Sequence, residues 1–223
     1  MREPKVASVM TQPVITTSPD ALYKDVVTLL TANGISAVPV VDETGHPLGV
    51  VSEADVLAKQ EFHGGTDPLS WLAGRRRRTR RRKAAGVTAA DLMTSPVVTI
   101  GADEPLTVAA RRLAEKRVRR LFVIDDDGVA IGVVSRHDIL GTFLRPDAAI
   151  QHDVEEHVLR HGMWVIPGTV EVSVTNGVVT LDGTLEHHSA VEVAGLLTQA
   201  ITGVVGVRNR LHYIIDDTAT AGI

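Results

Sequence analysis

Hydrophobic positions along this chain alternate between a helical and a strand-like period. Leu22, Val26, Leu29 and Leu30 recur at helical spacing, and the run ends near Asn33-Gly34, a pair suited to a left-handed C-cap. Around this helix the pattern predicts strands: Val14-Ile15-Thr16 ahead of a Ser18-Pro19-Asp20 helix-start signal, then Ala37 to Val41 and Leu48 to Val51, joined by the turn residues Asp42-Glu43-Thr44-Gly45. Ser52 stands where the N-cap of a helix over Glu53 to Lys59 would be. The order is strand, helix, strand, strand, helix.

That order returns as Val97-Val98-Thr99, Leu106 to Lys116, Arg120 to Ile124, Ile131 to Val134, and a helix after Ser135. Met10-Thr11-Gln12-Pro13-Val14 recurs as Met93-Thr94-Ser95-Pro96-Val97, and Gly49-Val50-Val51-Ser52-Glu53-Ala54-Asp55 as Gly132-Val133-Val134-Ser135-Arg136-His137-Asp138. The offset is 83 positions both times (10 to 93, 49 to 132), and Val40/Val123, Asp42/Asp125 and Gly45/Gly128 keep it. A gapless repeat of this kind signals duplicated structural units, and the polar residues that close it are ones a buried core would not choose.

After Pro146 the pattern changes. Ile150, Val154 and Val158 predict an amphipathic helix to about Gly162. Val170, Val172 and Val174 alternate with polar residues and are expected to face a core, leaving no apolar patch for membrane insertion. Asn176-Gly177 is a hairpin signal, Val178 to Leu181 the return strand, Ser189 to Ile201 a second helix, and Val204 to Tyr213 a last strand after Gly203. Helix, hairpin, helix, strand describes an open α+β sandwich with one sheet face covered.

Of the 223 residues, 44% are hydrophobic and only 3% aromatic, so the cores must be built from Val, Leu, Ile and Ala. The absence of Cys removes disulfides, thiolate metal sites and cysteine nucleophiles together, and a cytoplasmic protein is the expectation. Met1-Arg2-Glu3-Pro4-Lys5 lacks the apolar stretch of a secretory signal, and no apolar run approaches the roughly 20 residues of a membrane span. The net charge of −4 is uneven: Arg75 to Arg78, Arg80 to Arg82 and Lys83 contribute eight positive charges, leaving about −12 elsewhere. In the stretch 60 to 86, Gly64-Gly65 and Pro68 break the periodicity, Trp71 and Leu72 could anchor a short helix, and like-charge repulsion predicts that the arginine run is an exposed, partly disordered loop. Three uses are open to that run: a solvated linker, an arm for acidic lipid headgroups, or a non-specific hold on nucleic acid. Sequence-specific nucleic-acid recognition is not expected, with no reading helix and little aromatic surface for stacking.

The Ser52/Asp55 and Ser135/Asp138 pairs carry the candidate chemistry. A serine at a helix start lies beside free N–H groups and the positive end of the helix dipole, which favour phosphate. An aspartate three residues on can accept two hydrogen bonds from the vicinal hydroxyls of a ribose. Phosphate and ribose together describe a nucleotide. The competing reading is a capping box, which on the residues alone outweighs a ligand site.

The repeated motifs resemble a tandem of CBS domains, the modules named after cystathionine β-synthase, and the tail resembles a BON domain, a family associated with osmotic-shock proteins and phospholipid attachment. The Met-Thr…Pro-Val start, the Val40-Val41-Asp42 and Val123-Ile124-Asp125 strand ends and Gly-Val-Val-Ser-x-x-Asp carry the first likeness. The second rests on Asn176-Gly177-Val178-Val179-Thr180-Leu181-Asp182-Gly183 and Gly203-Val204-Val205-Gly206-Val207-Arg208-Asn209. The resemblance implies an α/β and α+β fold class: two βαββα CBS repeats packed as a pair (6–60 and 87–145, with a basic linker over 61–86), then a small αββαβ BON domain over 148–216. It also reverses the weighting of the Ser/Asp pairs, because in CBS tandems the matching residues contact adenosine nucleotides.

Two sites follow, and they differ. The first motif holds Glu53 and Ala54; the second holds Arg136 and His137, with Arg119 and Arg120 leading into the preceding strand. A guanidinium can pair with phosphate where a carboxylate repels it, so charged nucleotides are expected at Ser135 and Asp138, while the Ser52/Asp55 site is empty, structural, or suited to a less anionic ligand. The resemblance further implies a homodimer, and an anionic phospholipid or protein partner reached through the BON domain and arginine run. No cofactor, metal or catalytic residue is expected: His157 and His161 lie four apart without the glutamate of a zinc-hydrolase helix, and neither Ser52 nor Ser135 sits in a nucleophile elbow.

Overall fold

In the computed structural model, which describes residues 4–61 and 75–218, both copies of the repeat follow the predicted order with one omission. In the first copy, α1 (Tyr23–Ala32) leads into an antiparallel pair, β1 (Ala37–Val41) and β2 (Pro47–Ser52), followed by α2 (Glu53–Glu61). The strand expected at Val14-Ile15-Thr16 does not form; Thr17 alone bridges to Val40. In the second copy a strand does form, two residues beyond the expected Val97-Val98-Thr99, as β3 (Thr99–Gly101), parallel to β4 (Arg120–Ile124), which pairs antiparallel with β5 (Ala130–Ser135). Pro39 accounts for the difference. The Phe122 N–H donates to the Val98 carbonyl at 3.2 Å, whereas the matching position in the first copy is Pro39, which has no N–H to give.

Helix α1 begins at Tyr23 and not at the Ser18-Pro19-Asp20 signal. The carbonyls of Pro19 and Ala21 accept hydrogen bonds from Ala90 and Ala89, which open the short helix α4 (Ala89–Leu92), and Leu22 bridges to Thr88. Backbone groups tied to another segment cannot also start a helix.

The two copies interlock through an exchange of their leading segments. Thr11 N–H donates to the Val133 carbonyl at 2.9 Å and Val133 N–H returns the bond to Thr11 at 3.0 Å; Thr94 and Val50 do the same at 2.8 and 3.0 Å. Shifting one pair by the repeat offset produces the other, the signature of an internal two-fold relationship. The same exchange sets Met10 against Gly132 and Met93 against Gly49. Recurrence of Met and Gly in both copies is therefore a packing requirement. One core gathers Val26, Leu30, Val38, Val40, Val51, Ala89 and Leu92, and Ile100, Leu113, Leu121, Val123 and Val134 are buried in the second copy. Each of the Val, Leu and Ile side chains contributes roughly 1.5–3 kcal/mol on burial.

The arginine run departs from its expected disordered loop: the backbone over Arg75–Ala84 is a helix, α3, and Trp71 and Leu72 lie outside the described residues. Arginine is a good helix former. The helix is held at its far end, where Lys83 is buried and its carbonyl accepts from Gly86 N–H at 2.9 Å.

By its internal contacts the chain divides into two units, one drawn from Met10–Glu104 and Arg111–Ser135, the other from Met1–Val9, Pro105–Ala110 and Arg136–Ile223. The second copy's long helix is α5 (Leu106–Glu115). The second unit continues from α6 (Arg136–Gly141) through α7 (Asp147–Asp153), a π-helical stretch at Val154–Arg160 and a last turn, α8 (His161–Met163). Strands β6 (Val170–Thr175), β7 (Val178–His187) and β8 (Gly206–Ile215) form one sheet in the order β6-β7-β8, with α9 (His188–Gln199) crossing between the parallel strands β7 and β8. Its core holds Ile150, Val154, Val158, Val172, Val179, Leu181, Ala194 and Leu211, and Val170 and Val174 pack against it as their alternation predicts. Asn176 and Gly177 take φ of +52° and +74° at the hairpin turn, and the Asp147 carboxylate accepts from both their N–H groups at 2.7 and 2.8 Å. Among the described residues no helix is long and apolar enough to cross a membrane.

Candidate functional site

Strand β2 delivers Ser52 to the start of α2, which places Asp55 in the first turn. The Asp55 carboxylate bends back to that start: Oδ2 accepts from Ser52 N–H at 2.9 Å and from Ser52 Oγ at 2.6 Å. Oδ1 accepts from Lys83 Nζ at 2.6 Å, and Lys83 Nζ also donates to Thr94 Oγ1 at 2.6 Å. The pairing of Asp55 with Ser52 matches the capping reading, and Lys83 and Thr94 are partners that sequence reasoning missed. Lys83 was hidden among eight cations, and only the recurrence of threonine at Thr11 and Thr94 hinted at its role.

In the second copy Ser135 ends β5 and α6 begins at Arg136, so Asp138 again stands in a first turn. Arg120 lies opposite Ser135 in the β4–β5 register. Its guanidinium donates to Ser36 Oγ and to the Ala37 carbonyl, which ties the strands of the two copies together. Arg119 precedes β4 and is exposed, as are Arg136 and His137. The strands thus bring Arg120 and Ser135 together, as they do Ala37 and Ser52.

The repeated aspartates at the β-turns serve the backbone. Asp42 Oδ1 accepts from Thr44 N–H, Thr44 Oγ1 and His46 N–H at 2.9, 2.6 and 2.9 Å, and Asp125 Oδ1 accepts from Asp127 and Val129 N–H at 3.1 and 2.9 Å. The Thr44 hydroxyl first, and then the His46 amide, hold the Asp42 carboxyl down at about 2. His157 and His161 stand with ring centroids 6.5 Å apart, and His161 Nδ1 lies 2.7 Å from the Glu156 carbonyl oxygen. Among the described residues no group of three or more His, Cys, Asp or Glu is placed to hold a metal. The connection into β6 exposes two large apolar side chains, Trp164, 85% accessible at φ +56°, and Ile166, 74% accessible.

The family model for the CBS domain matches residues 6–61 and 89–145, half of the chain. The chain belongs to the CBS domain family. A BON domain match follows over residues 146–214. The CBS pair is similar to the crystal structure of CBSX2 of Arabidopsis thaliana in complex with AMP, at 32% identity and a TM-score of 0.53, over 63% of this chain and 96% of that one. It is also similar to an uncharacterized protein of Methanopyrus kandleri, 30% identical over 63% of each chain. A third relative is the gamma subunit of 5'-AMP-activated protein kinase of Saccharomyces cerevisiae, 32% identical over 59% of this chain and 34% of that subunit. The CBS chain described here therefore spans less than two thirds of either of these two relatives.

Proposed function

We propose that this chain is a regulatory binding protein that senses an adenosine-containing nucleotide through its CBS pair, without catalysis of its own, and that its BON domain carries the response to a partner or membrane. The observation that carries the reading is the likeness of the paired repeats to a CBS pair crystallised with AMP, at 32% identity. In this reading Asp138 takes the ribose hydroxyls, Ser135 and the start of α6 take phosphate, and Arg136, His137 and Arg119 supply positive charge around it. Arg120 contributes by fixing β4 against the first copy. A homodimer is part of the proposal, supported by the exposure of Leu140, Phe143 and Leu144 at the end of the CBS pair.

The test is thermal unfolding with AMP, ADP, ATP and S-adenosylmethionine, on the full chain and on Asp138→Ala. A ligand at 100 times its Kd adds about 2.7 kcal/mol to the full chain. A shift that survives Asp138→Ala unchanged, or none in a folded chain, rejects the reading.

One observation favours a second reading, a membrane-surface adaptor. Trp164 and Ile166 are the kind of exposed pair that inserts at a headgroup interface. Co-sedimentation with anionic vesicles, lost in Trp164→Ser, would support it; no binding at low salt would eliminate it.

A further inference from the structure

Both oxygens of the Asp55 carboxylate are engaged within the fold. Oδ2 holds the Ser52 amide and hydroxyl, Oδ1 holds Lys83 Nζ, and the lysine, 7% exposed, is anchored from its other side by Thr94 Oγ1. Gripping the vicinal hydroxyls of a ribose takes carboxylate oxygens. Three of about four acceptor positions on the carboxylate are taken, so a ribose at this motif would have to displace a Ser52 donor or Lys83, and displacing the lysine strips a buried ammonium of its counter-charge. The three segments joined here are α2 of the first copy, the connecting helix α3, and the leading segment of the second copy. Lys83 stands 28 positions beyond Asp55, on the helix that leads toward the second copy.

We propose that Lys83 is a built-in occupant of the first motif, which closes it to nucleotides, makes it a joint between the two copies, and leaves one nucleotide site per chain, at the second motif. The count of one rests on the nucleotide reading above; the closure by Lys83 does not.

Two measurements on the full chain separate them. In amine acylation followed by mass spectrometry, Lys83 should react at least roughly tenfold more slowly than the exposed Lys24 and Lys116, and Asp55→Asn, shown folded by circular dichroism, should remove most of that protection. In equilibrium dialysis with AMP, the chain should bind one AMP, which Asp138→Ala abolishes and Asp55→Asn preserves. Lys83 reacting as fast as Lys24 in the unaltered chain overturns the closure. Two AMP per chain, one of them lost in Asp55→Asn, overturns it as well. Slow acylation of Lys83 with no AMP bound supports the closure and rejects the nucleotide reading.

Discussion

The Met93 sulfur lies 2.6 Å from where a β-carbon on Gly49 would stand, and the Met10 sulfur holds the matching place at 2.9 Å over Gly132. Each methionine comes from one copy and each glycine from the other. A methyl group at Gly49 would also meet the Met93 β-carbon at 3.1 Å, so rotating the thioether away does not clear it. Gly49→Ala should therefore destabilise the chain by about 1–3 kcal/mol, the range for overpacking. In urea unfolding, Met93→Ala should recover part of that loss; strict additivity of the two changes would refute the contact.

Lys83→Met removes the counter-charge of a carboxylate that stays enclosed. Breaking a largely buried pair from one side costs about 3 kcal/mol. A change below about 0.5 kcal/mol in the urea midpoint, the scale of a surface substitution, would mean that Asp55 does not depend on the lysine.

Asp42 carries a pH signature. Its folded carboxyl sits at about 2 against an ordinary 3.8, through Thr44 and His46, so the deprotonated form is the one the fold favours. That contribution is fully present above about pH 4 and is lost as the pH falls toward 2. Thermal melts across this window should show a shallower acid loss for Asp42→Asn than for the parent. Parallel curves would show that the turn adds no acid sensitivity.

Gly183, at φ +139°, faces the β6–β7 pairing so closely that a β-carbon there would collide with the Thr169 carbonyl and approach the Val170 Cα at 3.1 Å. Backbone cannot swing aside as a side chain can. Gly183→Ala should cost at least about 2 kcal/mol and lower the protection of β6 amides in hydrogen exchange. Unchanged protection would contradict the crowding.

The repeat, its register and its polar ends were legible along the chain because strand and helix periods are local properties. Strands β1 and β4 fall where the continuous apolar runs put them, at Ala37–Val41 and Arg120–Ile124. The misses have physical causes that local pattern does not carry. The first-copy strand failed because Pro39 lacks a donor needed by a segment more than twenty positions away. The start of α1 moved because Pro19 and Ala21 bond to Ala90 and Ala89. The arginine run is helical against the expectation from charge repulsion, with its last turn held by Lys83 on Asp55 and Thr94.

Sequence by itself determined that this is a duplicated unit with an unlike α+β tail, and which serine and aspartate close each motif, because duplication preserves residue order whatever the chain does in space. Only the tertiary structure decided how those residues are used. Met93 meets Gly49, Arg120 meets Ser36 and Lys83 meets Asp55 across separations of 44, 84 and 28 residues. A carboxylate's role depends on what reaches its two oxygens, and for Asp55 that includes the lysine that closes a run of seven arginines, which nothing in the local sequence marks as its partner.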